Sequence, residues 1–404
     1  MKTGIYINGL GESVTNENAI DYATRLMNEL NKNDDDYIYT IKIEKIKYTK
    51  EQKSNVITII KTDPKTEIKE SFYTFYEFQY AAVLTKSYVD KNLIYKNYLL
   101  FSIVITKFPI LIWKSINPSK QYQSPFQTLY VFCLFLLLAL SILIMIPATL
   151  SLFLNESLIV AIKNIPFLYK GIQILGVKRE CIIEFSELFV PFITLLLLLI
   201  PKANIFIPQL ATEFVSAHLY LQYGQQKGSI LGNLDHLYEY IVNHETDSEI
   251  HIHAYSFGSL LALDYLYPYK SKLTGNTLKR TKGLITIGTP FDFINTYYPN
   301  YYKDRDTTIE QKGFQWLNVY SVIDALASNF RYDTTAGMAE YGIIENSSPP
   351  ININYEAIHT NNFGFFNYIL LNNLKVHGMY WSETTDGKSC LDPIYIKMNE
   401  LNMI

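Results

Sequence analysis

The fold turns on the stretch His251-Ile-His-Ala-Tyr-Ser-Phe-Gly-Ser-Leu-Leu261. It predicts a short strand, an abrupt turn at Ala254-Tyr-Ser256-Phe-Gly258, and an apolar helix through Leu260-Leu-Ala-Leu-Asp-Tyr-Leu266. A serine at a strand-to-helix turn, with Ala and Gly two residues to either side, reads as a nucleophile elbow. The turn strains the serine backbone, and its neighbours crowd it unless the flanking residues are nearly free of side chain. The helix that follows aims its N-terminus at the place where an oxyanion would form. The pattern is A-x-S-x-G, so the first small position keeps a methyl group.

A serine hydroxyl is a poor nucleophile until a base takes its proton and an acid orients that base. Three further strands are predicted downstream, at Gly283–Pro290, Gln315–Asp324 and Ile351–Glu356. Asp324 follows the apolar run Trp316–Ile323 and is the candidate acid; its competing role is the N-cap of a helix at Ala325-Leu-Ala. His377, in the glycine-containing loop of Val376-His-Gly-Met-Tyr-Trp381, is the candidate base, and His359 is its rival. His251 and His253 precede the serine on its own strand and are read as packing residues. Asp264, Asp292 and Asp333 are the fallback acids.

Upstream, Gly4-Ile-Tyr-Ile is a buried strand running into Asn8-Gly-Leu-Gly-Glu-Ser13. Two glycines around one apolar residue let the backbone curl with free N–H groups, a geometry suited to an anion or to an ordinary loop. A helix is predicted over 16–30, from the spacing of Ile20, Ala23, Leu26, Met27 and Leu30. Tyr37–Tyr48 and Asn55–Ile60 read as a hairpin, and Ser71–Phe78 as a third, aromatic-rich strand. Glu77 is either a buried carboxylate ordering the site or an exposed strand residue. Late in the chain, Gly228–Val242 carries Leu231, Leu234, Leu237, Tyr238 and Ile241 on one helical face. Strands separated by helical stretches predict an α/β fold, a mostly parallel sheet with helices on both faces.

The 404 residues suffice for one large domain with an insertion. Hydrophobic residues make up 49% and charged residues 18%, which points towards membrane association. A formal net charge of −3 gives nucleic acid no electrostatic footing. Cys133, Cys181 and Cys390 are scattered, odd in number and without ligand spacing, so no metal site or disulfide framework is expected and a reducing compartment suits them. Nothing calls for a cofactor.

The hydrophobicity is concentrated in one place. Tyr98–Trp113 is apolar but broken by Lys107 and Pro109, as in an interfacial or packed helix. Phe126–Leu154 carries no charged residue and exceeds the roughly 20 residues that cross a bilayer, so a transmembrane helix is predicted over 126–150. A second span is predicted over 188–207, with Lys202 near its end. Sequence on either side belongs to one domain, so the chain must return to the side it left, and two spans satisfy that. The organisation is therefore 1–97 as the first part of the domain, 98–212 as a hydrophobic insertion, and 213–404 as the second part. Lysines flank the spans on both sides and leave orientation open; with no export signal visible, the catalytic part is expected in the cytoplasm.

A glycine loop after the first strand, an elbow serine, a post-strand aspartate and a late histidine, taken together, resemble the α/β-hydrolase superfamily, in particular serine lipases and esterases. The aromatic run Phe75-Tyr-Glu-Phe-Gln-Tyr80 leading into a hydrophobic insertion is similar to membrane-associated bacterial members. The likeness covers roughly 2–84 and 214–381. It implies an α/β-hydrolase fold with an inserted transmembrane helical hairpin, and Ser256 as nucleophile, His377 as base and then acid, and Asp324 as the orienting acid. It also implies an oxyanion hole from the backbone N–H groups of Leu10 and Phe257. Two positions depart from the family pattern: Ala254 at the first elbow glycine, and Asn8 where histidine usually precedes the loop glycine. The expected activity is hydrolysis of a lipid or other acyl ester at the membrane. A non-catalytic scaffold binding a lipid or protein partner, and an acyltransferase using the same triad, are the competing expectations.

Overall fold

The structure is a computed structural model describing residues 2–10, 18–91, 93–116, 203–356 and 376–404. Among these, eight strands form one sheet in the order β2-β3-β4-β1-β5-β6-β7-β8. β1 (Lys2–Ile7) sits in the middle, parallel to both β4 (Lys69–Phe78) and β5 (Glu249–Tyr255). The parallel run continues through β6 (Thr281–Ile287), β7 (Gln315–Tyr320) and β8 (Ile351–Asn354). β2 (Ile38–Lys47) and β3 (Lys53–Thr62) form the expected hairpin, and β3 runs antiparallel to β4. Both edges are guarded: β2 presents Lys42, Glu44 and Lys45, and β8 has only four residues.

Strand alternation divides the core. On one face Tyr6, Phe75, Tyr73, Ile285 and Leu317 pack beneath α1 (Ala19–Asn33) and the C-terminal helix, whose buried side is Leu391, Ile394 and Met398. α1 starts at Ala19 rather than 16, because the extended Asn18 caps it, its side chain accepting from the N–H groups of Ile20 at 2.8 Å and Asp21 at 3.0 Å. Asp21 in the first turn and Lys32 in the last complement the helix dipole.

After β4 come α2 (Ala81–Val89) and α3 (Leu93–Ile116), which contains the predicted Tyr98–Trp113 helix. The chain is next described at α4 (Ala203–Tyr223), followed by α5 (Lys227–His244) and β5. α6 (Phe257–Leu266), buried along its whole length, follows β5 directly and contacts β5, β1, β6 and α5. Contacts divide the chain into two compact units, one of Met1–Leu84, Trp113–Val131 and Leu219–Ile404, the other of Thr85–Ile112 and Phe132–His218. Among the described residues no helix is long and apolar enough to cross a membrane. The predicted spans 126–150 and 188–207 lie outside those residues, except for 203–207, which begin α4.

Candidate active site

β1, β5, β6 and β7 run parallel, so their C-terminal ends share one edge of the sheet, and the predicted site residues gather there. Ser256 stands between β5 and α6 with φ 53° and ψ −122°. A side chain at positive φ costs about 1–3 kcal/mol and persists only where its surroundings over-determine it. Here they do. The Ser256 N–H donates to Ile287 O at 2.8 Å, the Ser259 N–H to Ser256 O at 2.9 Å, and Ser259 Oγ to Ala254 O at 2.9 Å.

The glycine two residues on is a packing requirement. Any methyl at Gly258 would overlap the carbonyl oxygens of Ile7 and Asn8, because α6 crosses directly over the end of β1. Ala254 lies within β5, fully buried and in register with Ile7 and Thr286, where its methyl has room.

His377 Nε2 lies 2.6 Å from Ser256 Oγ, and His377 Nδ1 lies 2.8 Å from Asp324 Oδ2. Satisfying both contacts assigns the proton to Nδ1, donated to the carboxylate, and leaves the Nε2 lone pair for the serine hydroxyl. Ser256, His377 and Asp324 are all buried. Asp324 is not a helix cap. β7 ends at Tyr320, and turns follow, because the Val322 N–H is taken by Glu356 Oε1 at 3.0 Å and the Ser321 N–H by the Tyr380 hydroxyl at 3.1 Å. Asp324 Oδ1 accepts the Leu326 N–H at 2.9 Å, which fixes the carboxylate plane.

Three supporting residues went unread in the sequence. The Tyr380 hydroxyl donates to Asp324 Oδ2 at 2.8 Å, beside His377. The Tyr255 ring stacks on His377 with centroids 5.5 Å apart, and its hydroxyl donates to His377 O at 2.5 Å. Gly288, at φ +60°, clears the imidazole: a Cβ there would lie 2.9 Å from His377 Cε1. The glycine ending the Gly283–Pro290 stretch was the available signal for Gly288. Nothing local signals the two tyrosines, whose partners lie 56 and 122 residues away.

The loop after β1 reaches the serine from the other side. A Cβ on Gly9 would fall 3.1 Å from Ser256 Cβ. Asn8 Oδ1 accepts the Gly9 N–H at 2.7 Å and Asn8 O accepts the Tyr80 hydroxyl at 3.0 Å, so the asparagine shapes the loop. Leu10 is the next residue, and 11–17 lie outside the described residues. Phe257 is the first residue of α6, so its N–H has no acceptor within the helix. The Phe257 ring is held between Tyr80, stacked at 6.0 Å, and Tyr220, edge-on at 5.5 Å.

The remaining candidates are occupied elsewhere. Asp264 is fully buried in an ion cluster, with Arg305 Nη2 at 2.7 Å, Lys227 Nζ at 2.9 Å and the hydroxyls of Tyr220 and Tyr301 at 2.7 and 2.6 Å. These cations hold its carboxyl below the usual range despite burial. Asp292 accepts from the Tyr341 hydroxyl at 2.8 Å, and burial pushes it up to about 7. Asp333 pairs with Arg331 at the surface. Glu77 is buried and bonded to Asn55 and Gln79. His359 lies outside the described residues.

His251 and His253 form a buried ladder with tyrosines. The Tyr73 hydroxyl is 2.9 Å from both His251 Nδ1 and His253 Nε2, and the Tyr22 hydroxyl is 2.9 Å from His253 Nδ1. Burial, with Lys2 adding to it, pushes His251 down to about 3, and burial beside His251 holds His253 well below its usual value. Among the described residues no cluster of His, Cys, Asp or Glu fits a metal ion. No family model, no curated protein and no solved structure matches the chain.

Proposed function

We propose that this chain is a membrane-anchored serine hydrolase with an α/β-hydrolase fold, cleaving an acyl ester of a lipid or related compound. The observation that carries the reading is the unbroken chain from Ser256 Oγ through His377 to Asp324, anchored on a serine at positive φ. The order of loops supports the fold assignment: nucleophile after β5, acid after β7, base after β8, and a glycine loop from the strand beside the nucleophile.

In this mechanism His377 Nε2 takes the Ser256 proton as Oγ attacks the acyl carbonyl. The negative charge on the carbonyl oxygen is met by the N–H groups of Phe257 and Leu10; one such donor is worth about 10²–10³ in rate. His377, now protonated and steadied by Asp324, delivers its proton to the leaving alkoxide. Water then repeats the sequence on the acyl-enzyme, releasing the carboxylic acid and restoring the serine. The charge-free stretch 126–154 supports anchoring in a bilayer, where acyl substrates reside, with the catalytic part on the cytoplasmic side.

The test is labelling of membranes containing the full chain with a fluorophosphonate probe. Wild-type protein is labelled, and Ser256→Ala and His377→Ala abolish labelling while His359→Ala keeps it. Folded wild-type protein that resists the probe would leave a non-catalytic scaffold as the reading. Loss in His359→Ala with retention in His377→Ala would transfer the base.

A further inference from the structure

α3 carries its apolar side outward. At about 100° per residue, Tyr98, Ile105, Ile112 and Ile116 fall within an arc of about 40°, flanked by Phe108 and Trp113. Tyr98 is 64% exposed, Trp113 66% and Ile116 71%. The opposite line of the helix turns inward. Leu100 and Ile103 are buried, Lys107 is half-buried with its ammonium pKa lowered by desolvation, and Lys96 Nζ bonds Val89 O at 2.9 Å over the Tyr88 ring. A helix in water arranges these the other way, with its lysines outside.

Two features of the sequence select what covers this face. From Lys91 to Asn155 the chain carries no carboxylate, so nothing along it repels anionic headgroups. The same chain then passes without a break into the charge-free stretch from Phe126. Aromatic residues at both ends of the exposed stripe, Tyr98 and Trp113, are the residue types that settle at the boundary between headgroups and acyl chains.

We propose that α3 is an in-plane membrane helix, seated on the acyl–headgroup boundary of an anionic bilayer through the face of Tyr98, Ile105, Ile112 and Trp113. The inference rests on the membrane attachment proposed above and is independent of the hydrolase chemistry. It assigns the outward aromatic face a partner, a lipid surface rather than water or protein.

Trp113 is a built-in reporter, because Trp316 and Trp381 are buried. The full chain is reconstituted in vesicles of phosphatidylcholine and phosphatidylglycerol, with or without bromine on the acyl chains, and its emission is compared with that of Trp113→Phe. Brominated lipid is expected to remove most of the Trp113 emission, while aqueous iodide leaves it. Ile112→Glu, which keeps all three tryptophans, is expected to reverse that order. Emission quenched by iodide and not by bromine overturns the proposal. So does emission quenched by neither, which would mark the face as covered by another copy or another part of the chain. Protein that stays in the aqueous phase overturns the membrane attachment together with this inference. Fluorophosphonate labelling of Ser256 in the same samples reads the hydrolase proposal separately.

Discussion

Asp324 Oδ2 receives two donors, His377 Nδ1 and the Tyr380 hydroxyl, and Tyr380 in turn accepts the Ser321 N–H. Tyr380 therefore sets both the position of the carboxylate and how much negative charge it offers the imidazole. Hydrogen bonds to charged groups contribute about 1.5–3 kcal/mol. Tyr380→Phe is expected to slow fluorophosphonate labelling at neutral pH roughly tenfold, about 1.4 kcal/mol. Unchanged labelling in folded Tyr380→Phe would show that the hydroxyl does not position Asp324. That Ser256, Asp324 and His377 come together was legible in the sequence, because each sits beside a recognisable strand end or glycine. Tyr255 and Tyr380 were not, since their value comes from contacts across the fold that leave no spacing to read.

At the level of elements, the segments on either side of the hydrophobic insertion meet at one ring. Tyr80, two residues past β4, and Tyr220, near the end of α4, both pack on Phe257, whose N–H is the proposed oxyanion donor. The Tyr80 hydroxyl also holds Asn8 O, fixing the loop that leads to Leu10. Tyr80 thus touches both halves of the proposed oxyanion hole. Losing its hydroxyl removes a bond worth about 0.5–1.5 kcal/mol. On an ester substrate, Tyr80→Phe is expected to lower kcat roughly 3- to 10-fold with KM unchanged, and Tyr80→Ala to lower it further. An increase in KM alone would mean that Tyr80 contacts substrate instead. Periodicity located the strands and most helices, because half-buried strands and amphipathic helices advertise their period. It placed the end of β7 too late: the residues after Tyr320 remain apolar but spend their N–H groups on Glu356 and Tyr380. It was also silent on sheet order, which follows from pairings between distant segments.

For the molecule as a whole, buried histidines and one buried aspartate tie stability to pH. His251 and His253 stay neutral in the fold, yet protonate in the unfolded chain below about pH 6.5, so acidification below that point favours unfolding. Asp292 acts in the opposite sense. It holds its proton in the fold up to about 7 but loses it in the unfolded chain near 3.9, so its contribution fades as pH rises across that window. Near pH 5, unfolding takes up about three protons, at His251, His253 and the buried His218, which desolvation pushes down to about 4, and releases about one from Asp292, so these groups make stability rise by about 2.7 kcal/mol per pH unit. Denaturant titrations in detergent should give that slope, and Asp292→Asn should raise it by about half; an unchanged slope in the variant would refute the assignment. The central place of β1 carries one more consequence. Lys2 pairs with Glu249, so the segment that leaves the ribosome early acquires its second neighbour only after the whole hydrophobic insertion has been synthesised. Until then the middle of the sheet presents an open edge, and a long-range pairing of this kind is slow to form. Biogenesis thus has an order imposed on it: the whole insertion is synthesised before β5 can join β1 and the turn at Ser256 can close over it.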